Sequence, residues 1–185
     1  MNIGSVRIRE IVKSLRSFSR LDEADYKQVD IHEGIDNTLL ILQHRLKNNS
    51  TQSAIKIIKD YAQIPLVECY AGKLNQVFMN ILGNAIDALT EFRTSDIIAT
   101  ISISTQVIDK NYVRICIADN GTGINEEVSK NIFNPFFTTK PVGKGTGLGL
   151  SPLTLFLSRR GVIRQDEVRL FLFNASKTTI YCGVV

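Results

Sequence analysis

The segment from Ala71 to Phe92 constrains the fold more than any other part of this 185-residue sequence. Its apolar residues recur with the 3.6-residue period of an α-helix, which predicts a long helix with one side buried. That side comprises Leu74, Val77, Phe78, Ile81, Leu82, Ala85, Ala88 and Leu89. Because an apolar stripe of this length must be covered by a sheet or by further helices, we expect a layered domain.

The same helix carries a polar edge. Asn80, Asn84 and Asp87 are spaced so that they share one side of the helix. Asn is disfavoured inside helices, so two Asn residues one turn apart require a reason. One interpretation is a solvated surface. The other is that the amide oxygens hold Mg²⁺ without cancelling its charge, which leaves the ion free to bridge phosphate groups.

The remaining periodic segments predict a sheet and two further helices. The β-favouring segments Ile97–Ile108 and Tyr112–Ala118 alternate strongly and predict a hairpin. Helical spacing also appears in residues 35–46 and 148–157, in addition to an amphipathic segment at residues 7–20. Shorter extended segments are Lys27–Ile31, Ile55–Tyr61, Pro65–Cys69, Val168–Phe173 and Thr178–Val185.

A long non-periodic segment, Asp119–Thr146, follows the predicted hairpin, and a segment of that kind in a compact domain is usually functional. It opens with Asp119-Asn-Gly121-Thr-Gly123 at the end of a strand predicted to be buried. A carboxylate there is costly unless it finds a partner, and the amino group of adenine is a suitable donor. Asp-Asn-Gly is also an ordinary turn sequence, so both interpretations stay open for this motif alone.

A second glycine cluster, Gly143–Ser151, opens the predicted helix at residues 148–157. Glycines let backbone N–H groups approach phosphate oxygens, the N-terminus of a helix favours anions, and Lys144 adds a positive charge. The pattern matches neither the P-loop nor the Rossmann fingerprint. Between the glycine clusters lie three aromatic residues that we expect to be buried, either as a core plug or as a flap over bound nucleotide: Phe133, Phe136 and Phe137.

In this order, the motifs resemble the N, G1, F and G2 boxes of the histidine-kinase ATPase domain, in the superfamily shared with gyrase, Hsp90 and MutL. The resemblance covers about residues 29–151, and residues 7–24 resemble the second helix of the dimerisation domain that precedes it. It implies an α/β fold, a two-layer sandwich of the Bergerat type with a mixed, mostly antiparallel sheet. Helices would cover one face of a single sheet, and one further helix would precede the domain.

The resemblance also implies that the chain binds ATP and Mg²⁺ and transfers the γ-phosphoryl group to a histidine. Asn84, with help from Asn80, would hold the metal, and Asp87 would belong to the same site. Asp119 would accept from the adenine amino group, and Gly121 and Gly123 would shape the adenine pocket. Phosphate contacts would come from Lys140, Lys144, Gly145, Thr146, Gly147, Leu148 and Gly149.

Asn80 separates classes within the superfamily, and we assign it the catalytic role. Hydrolytic members carry a Glu at this position that activates water, whereas Asn cannot take a proton at neutral pH. The sequence therefore favours phosphoryl transfer over an ATPase of the Hsp90 and MutL kind. A nucleotide-binding regulatory module without phosphotransfer of its own is the alternative function.

The family's acceptor histidine is missing from the sequence. His32-Glu33 matches its motif only in part, so we interpret His32 as a helix-start residue and His44 as a surface residue near a helix end. The expected partners are therefore a dimerisation and phospho-acceptor domain, in another chain or a missing upstream segment, and, indirectly, a response-regulator receiver domain. The full-length parent, of which this chain would be a truncated piece, could form a homodimer.

Three divisions of the chain follow from these assignments. Residues 1–25 would be the remnant dimerisation helix, 26–160 the ATP-binding domain, and 161–185 an atypical tail. The tail departs from the family's final hairpin after Ser151, and a frameshift near that residue is one interpretation. An aberrant tail would deprive the sheet of its last hairpin.

Composition excludes several other classes of protein. The net charge is +4 and the pI about 9.0, but the basic residues are scattered among 18 acidic ones, so nucleic-acid binding is not expected. Three widely spaced cysteines predict buried free thiols and a reducing cytoplasm. No segment approaches the apolar length of a membrane helix, so any membrane sensor of the parent would lie outside this sequence.

Overall fold

The computed structural model describes residues 26–47, 54–91, 97–108, 112–131, 134, 136–140, 169–172 and 177–183. The helices in this part of the chain are α1 (Ile31–Leu46), α2 (Ala71–Glu91) and α3 (Glu126–Asn131). The strands are β1 (Tyr26–Val29), β2 (Lys56–Tyr61), β3 (Val67–Tyr70), β4 (Thr100–Val107), β5 (Tyr112–Asp119), β6 (Arg169–Leu172) and β7 (Lys177–Gly183).

Five strands form the larger sheet in the order β2-β4-β5-β7-β6. The pair β2 and β4 is parallel, and the other three neighbouring pairs are antiparallel. The chain between β2 and β4 includes α2, as expected because parallel strands need a long crossover connection. The expected mixed, mostly antiparallel sheet is confirmed.

The core lies between this sheet and the helices α1 and α2. Side chains along β4 and β5 alternate, so one face of the sheet is buried against the helices. The largest fully buried side chains come from these three parts and, for Val67, from β3: Phe78, Ile31, Ile35, Leu82, Ile86, Ile101, Ile103, Ile115, Val67, Val113 and Thr38. The two-layer α/β sandwich expected from the sequence is therefore confirmed.

The strands β1 and β3 form a separate two-stranded antiparallel sheet, in which Tyr26 pairs with Tyr70 and Val29 with Val67. The expectation of a single sheet was wrong in this respect. The two tyrosine rings meet edge to face, with centroids 5.3 Å apart. Because the strands are antiparallel, the end of β1 that leads into α1 lies opposite the start of β3, and the end of β3 that leads into α2 lies opposite the start of β1.

The segment after β5 contains a short helix that the sequence did not predict. The side chain of Asn125 accepts a hydrogen bond from the backbone N–H of Val128 at 2.7 Å, which caps the start of α3. A helix of six residues is too short to show a recognisable apolar period. The predicted helices at residues 7–20 and 148–157 lie outside the described residues.

The other predicted elements agree with the structure to within a few residues. The helix predicted from Ala71 ends at Glu91, and the predicted hairpin is the pair β4 and β5. Cys69 and Cys116 are buried free thiols as expected, and burial raises the pKa of the Cys69 thiol to about 11. Within the described ranges, no helix has the length and apolar character needed to cross a membrane.

Candidate functional site

The polar edge of α2 faces away from the core. Asn80 is half-buried, Asn84 is exposed and Asp87 is half-buried, whereas their helical neighbours Ile81, Leu82, Ala85 and Ile86 are buried. The three polar residues therefore share the accessible side of the helix, as their spacing predicted.

Asp87 accepts from two cations that belong to different parts of the chain. Its Oδ1 contacts the guanidinium of Arg45, in the last turn of α1, and its Oδ2 contacts the Nζ of Lys140. The Nη2 of Arg45 also donates to the backbone carbonyl of Gly83, at 3.3 Å. Lys140 thus lies beside the polar edge of α2, as its predicted role requires. Arg45 was not identified from the sequence, because no local pattern links α1 to α2 at this point.

Asp119 is the last residue of β5 and is half-buried. Burial raises the pKa of its carboxyl above the ordinary value, and hydrogen bonds from the backbone N–H groups of Gly121 and of Asp119 itself oppose the shift. The Gly121 N–H donates to Oδ1 at 2.9 Å. In the part of the chain that the structure describes, no cationic side chain pairs with this half-buried carboxylate, which leaves it capacity for a ligand donor.

Gly121 lies close to both this carboxylate and α2. A Cβ at that position would lie 2.9 Å from the Asp119 Oδ1, 3.7 Å from Leu89 and 3.8 Å from Ala88. Because it has no side chain, Gly121 lets the chain after β5 pass this close to the last turns of α2. Gly123 has a φ of 77°, in the region that favours glycine, so the chain turns sharply just beyond this point.

Asn120 fixes the end of β5 to the start of β4. Its Oδ1 accepts from the backbone N–H of Thr100 at 2.8 Å, and its Nδ2 donates to the carbonyl of Ile98 at 2.9 Å. No role was predicted for this residue from the sequence. An Asn between a strand end and a glycine signals a turn, but the pairing partner lies twenty residues earlier and could not be inferred locally.

The predicted burial of the three aromatics is wrong for Phe136. Its side chain is 74% exposed and its φ is 65°, which is uncommon outside glycine. Phe137 is half-buried, and Phe133 lies outside the described residues. The turn that holds Phe136 outwards is stabilised by Asn134, whose carbonyl accepts from the Phe137 N–H at 3.1 Å.

The structure describes one part of the predicted site. Four of the predicted residues lie along the accessible edge of α2: Asn80, Asn84 and Asp87 on the helix, and Lys140 beside it. Gly121 approaches the same helix one residue further on, at Ala88. The predicted phosphate contacts that lie outside the described residues are Lys144, Gly145, Thr146, Gly147, Leu148 and Gly149.

His32 is part of the packed structure, as its interpretation as a helix-start residue predicts. It lies in the first turn of α1, its ring stacks on Tyr61 with centroids 4.2 Å apart, and its Nε2 lies 2.9 Å from the Oγ1 of Thr105. Neither contact suits a group that must enter another active site. His44 is exposed in the last turn of α1, also as predicted.

The polar groups of the described residues suit an adenine nucleotide better than a metal held by protein alone. Asp119 offers a half-buried carboxylate oxygen at the end of β5, which suits the exocyclic amino group of adenine. Among the residues that the structure describes, no three His, Cys, Asp or Glu side chains form a metal-binding group. Mg²⁺ at the α2 edge would therefore rely on amide oxygens together with phosphate oxygens, a combination that is usual for this ion.

Similarity to known proteins also indicates an ATPase domain. The family model described as histidine kinase-, DNA gyrase B- and HSP90-like ATPase matches residues 70–171. The signal transduction histidine-protein kinase AtoS of Escherichia coli (strain K12) is 32% identical over 145 residues, which cover 78% of this chain and 22% of AtoS. The sensor kinase CckA of Brucella abortus (strain 2308) is 34% identical over 175 residues, which cover 89% of this chain and 18% of CckA.

The fold is also similar to that of solved histidine-kinase catalytic domains. The catalytic domain of the histidine kinase ThkA has a TM-score of 0.63 at 24% identity, covering 86% of this chain and 95% of the ThkA domain. ThkA has also been solved in complex with the response regulator protein TrrA, with a TM-score of 0.59 at 17% identity, covering 98% of this chain and 48% of that one. The chain spans about a fifth of the length of the two curated relatives.

Proposed function

Because this chain belongs to the family of histidine kinase-, DNA gyrase B- and HSP90-like ATPases, we propose that it is the ATP- and Mg²⁺-binding catalytic domain of a two-component sensor histidine kinase. Its reaction would be transfer of the γ-phosphoryl group of ATP to a histidine. The observation that carries the proposal is the half-buried Asp119 carboxylate at the end of β5, where Gly121 lies close to both this carboxylate and α2.

The chain's own residues would bind and orient the nucleotide. Asp119 would accept from the adenine amino group, and the amide oxygens of Asn84 and Asn80 would face the cation. Mg²⁺, when bound, would neutralise charge on the phosphate chain. Since Asn80 cannot accept a proton at neutral pH, the site has no carboxylate at that position to activate water, and this favours transfer over hydrolysis.

The partners belong to the same proposal. AtoS and CckA carry names of histidine and sensor kinases, and ThkA forms a complex with a response regulator. We infer that this chain acts on the histidine of a dimerisation domain, whose phosphoryl group then passes to a receiver domain. The boundary at residue 26 and the atypical character of residues 161–185 remain proposals, which the DNA sequence on either side of Met1 and around Ser151 would test.

The phosphotransfer proposal is tested by incubating the chain with γ-labelled ATP and an intact histidine-kinase dimerisation domain, supplied separately and also joined upstream of Tyr26. Acid-labile, alkali-stable label on that domain is the expected result. The same mixture with the catalytic domain of AtoS serves as a positive control. Nucleotide binding without label would instead support a regulatory module, and absence of nucleotide binding would contradict both functions.

The metal proposal is tested separately by measuring ATP affinity with Mg²⁺ and with a chelator. We expect Mg²⁺ to strengthen ATP binding to the unchanged chain, and the Asn84→Ala variant to lose most of this gain. Gln76→Ala removes an exposed amide about two turns earlier on α2 and is expected to keep it. A full Mg²⁺ effect in Asn84→Ala would remove this residue from the metal site.

A further inference from the structure

We propose, on the basis of the function above, that Asp87 does not contact the nucleotide but holds Arg45 and Lys140 together as a two-cation seat for its phosphate chain. Asp87 is then a positioning residue, and Arg45 is a phosphate-binding residue contributed by α1. This assignment differs from the role that the sequence suggested for Asp87, which was a direct contact within the nucleotide site.

The net charge of the cluster formed by Asp87, Arg45 and Lys140 favours binding of a phosphate chain. One carboxylate lies between two cations, so the group carries a net charge of about +1. A bare carboxylate on the accessible edge of α2 would repel a polyphosphate. Because Arg45 and Lys140 pair with its two oxygens, Asp87 instead holds a local excess of positive charge about one helical turn from Asn84.

The two cations, Arg45 and Lys140, also keep hydrogen-bond donors for phosphate oxygens. Both recorded bonds of Arg45, to Asp87 and to the Gly83 carbonyl, leave from Nη2. Its Nη1 and Nε therefore keep donors without a partner among the described residues, and the side chain is 44% exposed. Lys140 has three donors and, within the described ranges, one side-chain partner. An arginine edge beside an ammonium group is well suited to phosphate oxygens.

The positions of the three residues explain why a carboxylate is needed. Arg45 comes from the end of α1 and Lys140 from the segment beyond α3, so nothing in the local chain holds them together. Two like charges repel each other, and both side chains are long and flexible. Asp87 brings them to one point on α2, and the bond from Arg45 to the Gly83 carbonyl fixes the guanidinium against the helix.

The test compares the affinities of the chain for ATP, AMP and adenosine. Arg45→Ala and Lys140→Ala are each expected to weaken ATP binding roughly ten- to a hundredfold, the usual loss for a hydrogen bond to a charged group. Adenosine binding should change less than about twofold. Lys56→Ala removes an exposed lysine from β2 and is expected to leave all three affinities unchanged.

The role of Asp87 is tested by a double-mutant comparison. In the unchanged background, Asp87→Asn is expected to weaken ATP binding about three- to tenfold, since two side chains lose their fixed positions. In an Arg45→Ala, Lys140→Ala background the same substitution should have almost no effect. A persistent effect there, or one that depends on Mg²⁺, would show a direct contact and overturn the proposal.

Further variants distinguish a specific loss of ATP affinity from misfolding. Asp60→Asn removes an exposed carboxylate from β2 and is the charge-matched control for Asp87→Asn. Arg45→Gln keeps most of the side chain, and its thermal unfolding should match that of the unchanged chain while ATP affinity falls. If adenosine binds and the Arg45 and Lys140 variants bind ATP with unchanged affinity, the proposed two-cation seat is wrong, whereas the proposed nucleotide-binding function is retained. If no nucleotide binds at all, both proposals fail.

Discussion

The adenine-binding role proposed for Asp119 carries a cost in stability for the free protein. Its carboxyl is half-buried, and burial raises its pKa. Among the described residues, the hydrogen bonds to its side chain come from backbone N–H groups, those of Gly121 and of Asp119 itself. A binding group that is incompletely paired in the free state is a common compromise between stability and function.

Replacing Asp119 by Asn is expected to weaken adenine-nucleotide binding by about 1.5–3 kcal/mol, because a hydrogen bond to a charged acceptor is lost. The substitution should also stabilise the free domain at neutral pH. A carboxyl whose pKa is higher in the folded protein stabilises the fold fully below its unfolded value of about 3.9, and this contribution is lost as the pH rises through the folded pKa.

The measurement is the free energy of unfolding of both proteins at several pH values. The advantage of Asp119→Asn should grow as the pH rises from about 4 towards neutrality and then level off. A variant less stable than the unchanged chain at neutral pH would show that the carboxylate has a stabilising partner in the fold.

Gly121 offers a second prediction at this scale. A Cβ there would press on the Asp119 carboxylate, which is the end of a side chain and can move, so Gly121→Ala should weaken nucleotide binding more than it destabilises the fold. Gly34→Ala is the matched control, since its Cβ would lie 2.8 Å from the Asn75 Oδ1, which is also the end of a side chain but lies outside the proposed site. It is expected to lower fold stability and to leave nucleotide affinity unchanged. Equal losses of affinity in both variants would contradict the argument.

At the scale of elements, Thr105 joins three parts of the fold through one hydroxyl group. It is 5% exposed on β4, accepts from the Ala62 N–H just after β2, and meets His32 at the start of α1. Tyr61 stacks on that histidine and donates to Asp36, and burial together with the Asp36 carboxylate raises the pKa of the tyrosine.

Thr105→Val keeps the shape but removes the hydroxyl, which leaves the Ala62 N–H and the His32 nitrogen without their partner. We expect a loss of about 1–3 kcal/mol in the free energy of unfolding, measured by denaturant titration. Ser102→Ala, on the exposed face of the same strand, should change it by less than about 0.5 kcal/mol. Nucleotide affinity should be unchanged, and a large loss of affinity would place this cluster in the site.

Local patterns predicted the elements but not how distant elements meet. The helix α2 and the pair β4 and β5 follow from the regular spacing of apolar residues, a pattern that repeats every few residues along the chain. The separate pairing of β1 with β3 depends on contacts across the chain, such as the two tyrosines. Within the site, Asp119 and Gly121 lie close in sequence and could be predicted. Arg45 and Asn120 act through partners elsewhere in the chain, and no local spacing reveals such pairs.

For the whole molecule, the position of β7 makes the C-terminal segment part of the sheet. The backbone of β7 pairs with β5 from Tyr112 opposite Gly183 to Ala118 opposite Lys177, and β6 completes the edge. The central strand β5 therefore has a partner on both sides. Without β7, a strand with a buried apolar face would have an exposed edge.

Ending the chain at residue 160 is expected to abolish cooperative thermal unfolding or to cause aggregation. Thr179→Pro is a milder variant, because proline removes a backbone donor in the middle of β7 and should lower the melting temperature by several degrees. Calorimetry and light scattering would measure both. An unchanged melting temperature in the shortened chain would support the interpretation of residues 161–185 as an unselected tail.

The parallel pairing of β2 with β4 has a consequence for the order of events during folding. Lys56 pairs with Thr100, and the whole of α2 lies between them. Closing so long a stretch of chain is slower than forming a hairpin, and a parallel ladder cannot grow from a tight turn. The helix that carries Asn80, Asn84 and Asp87 thus lies within the long crossover that this parallel pairing must close. Refolding chains should recover helix content well before they recover the capacity to bind nucleotide.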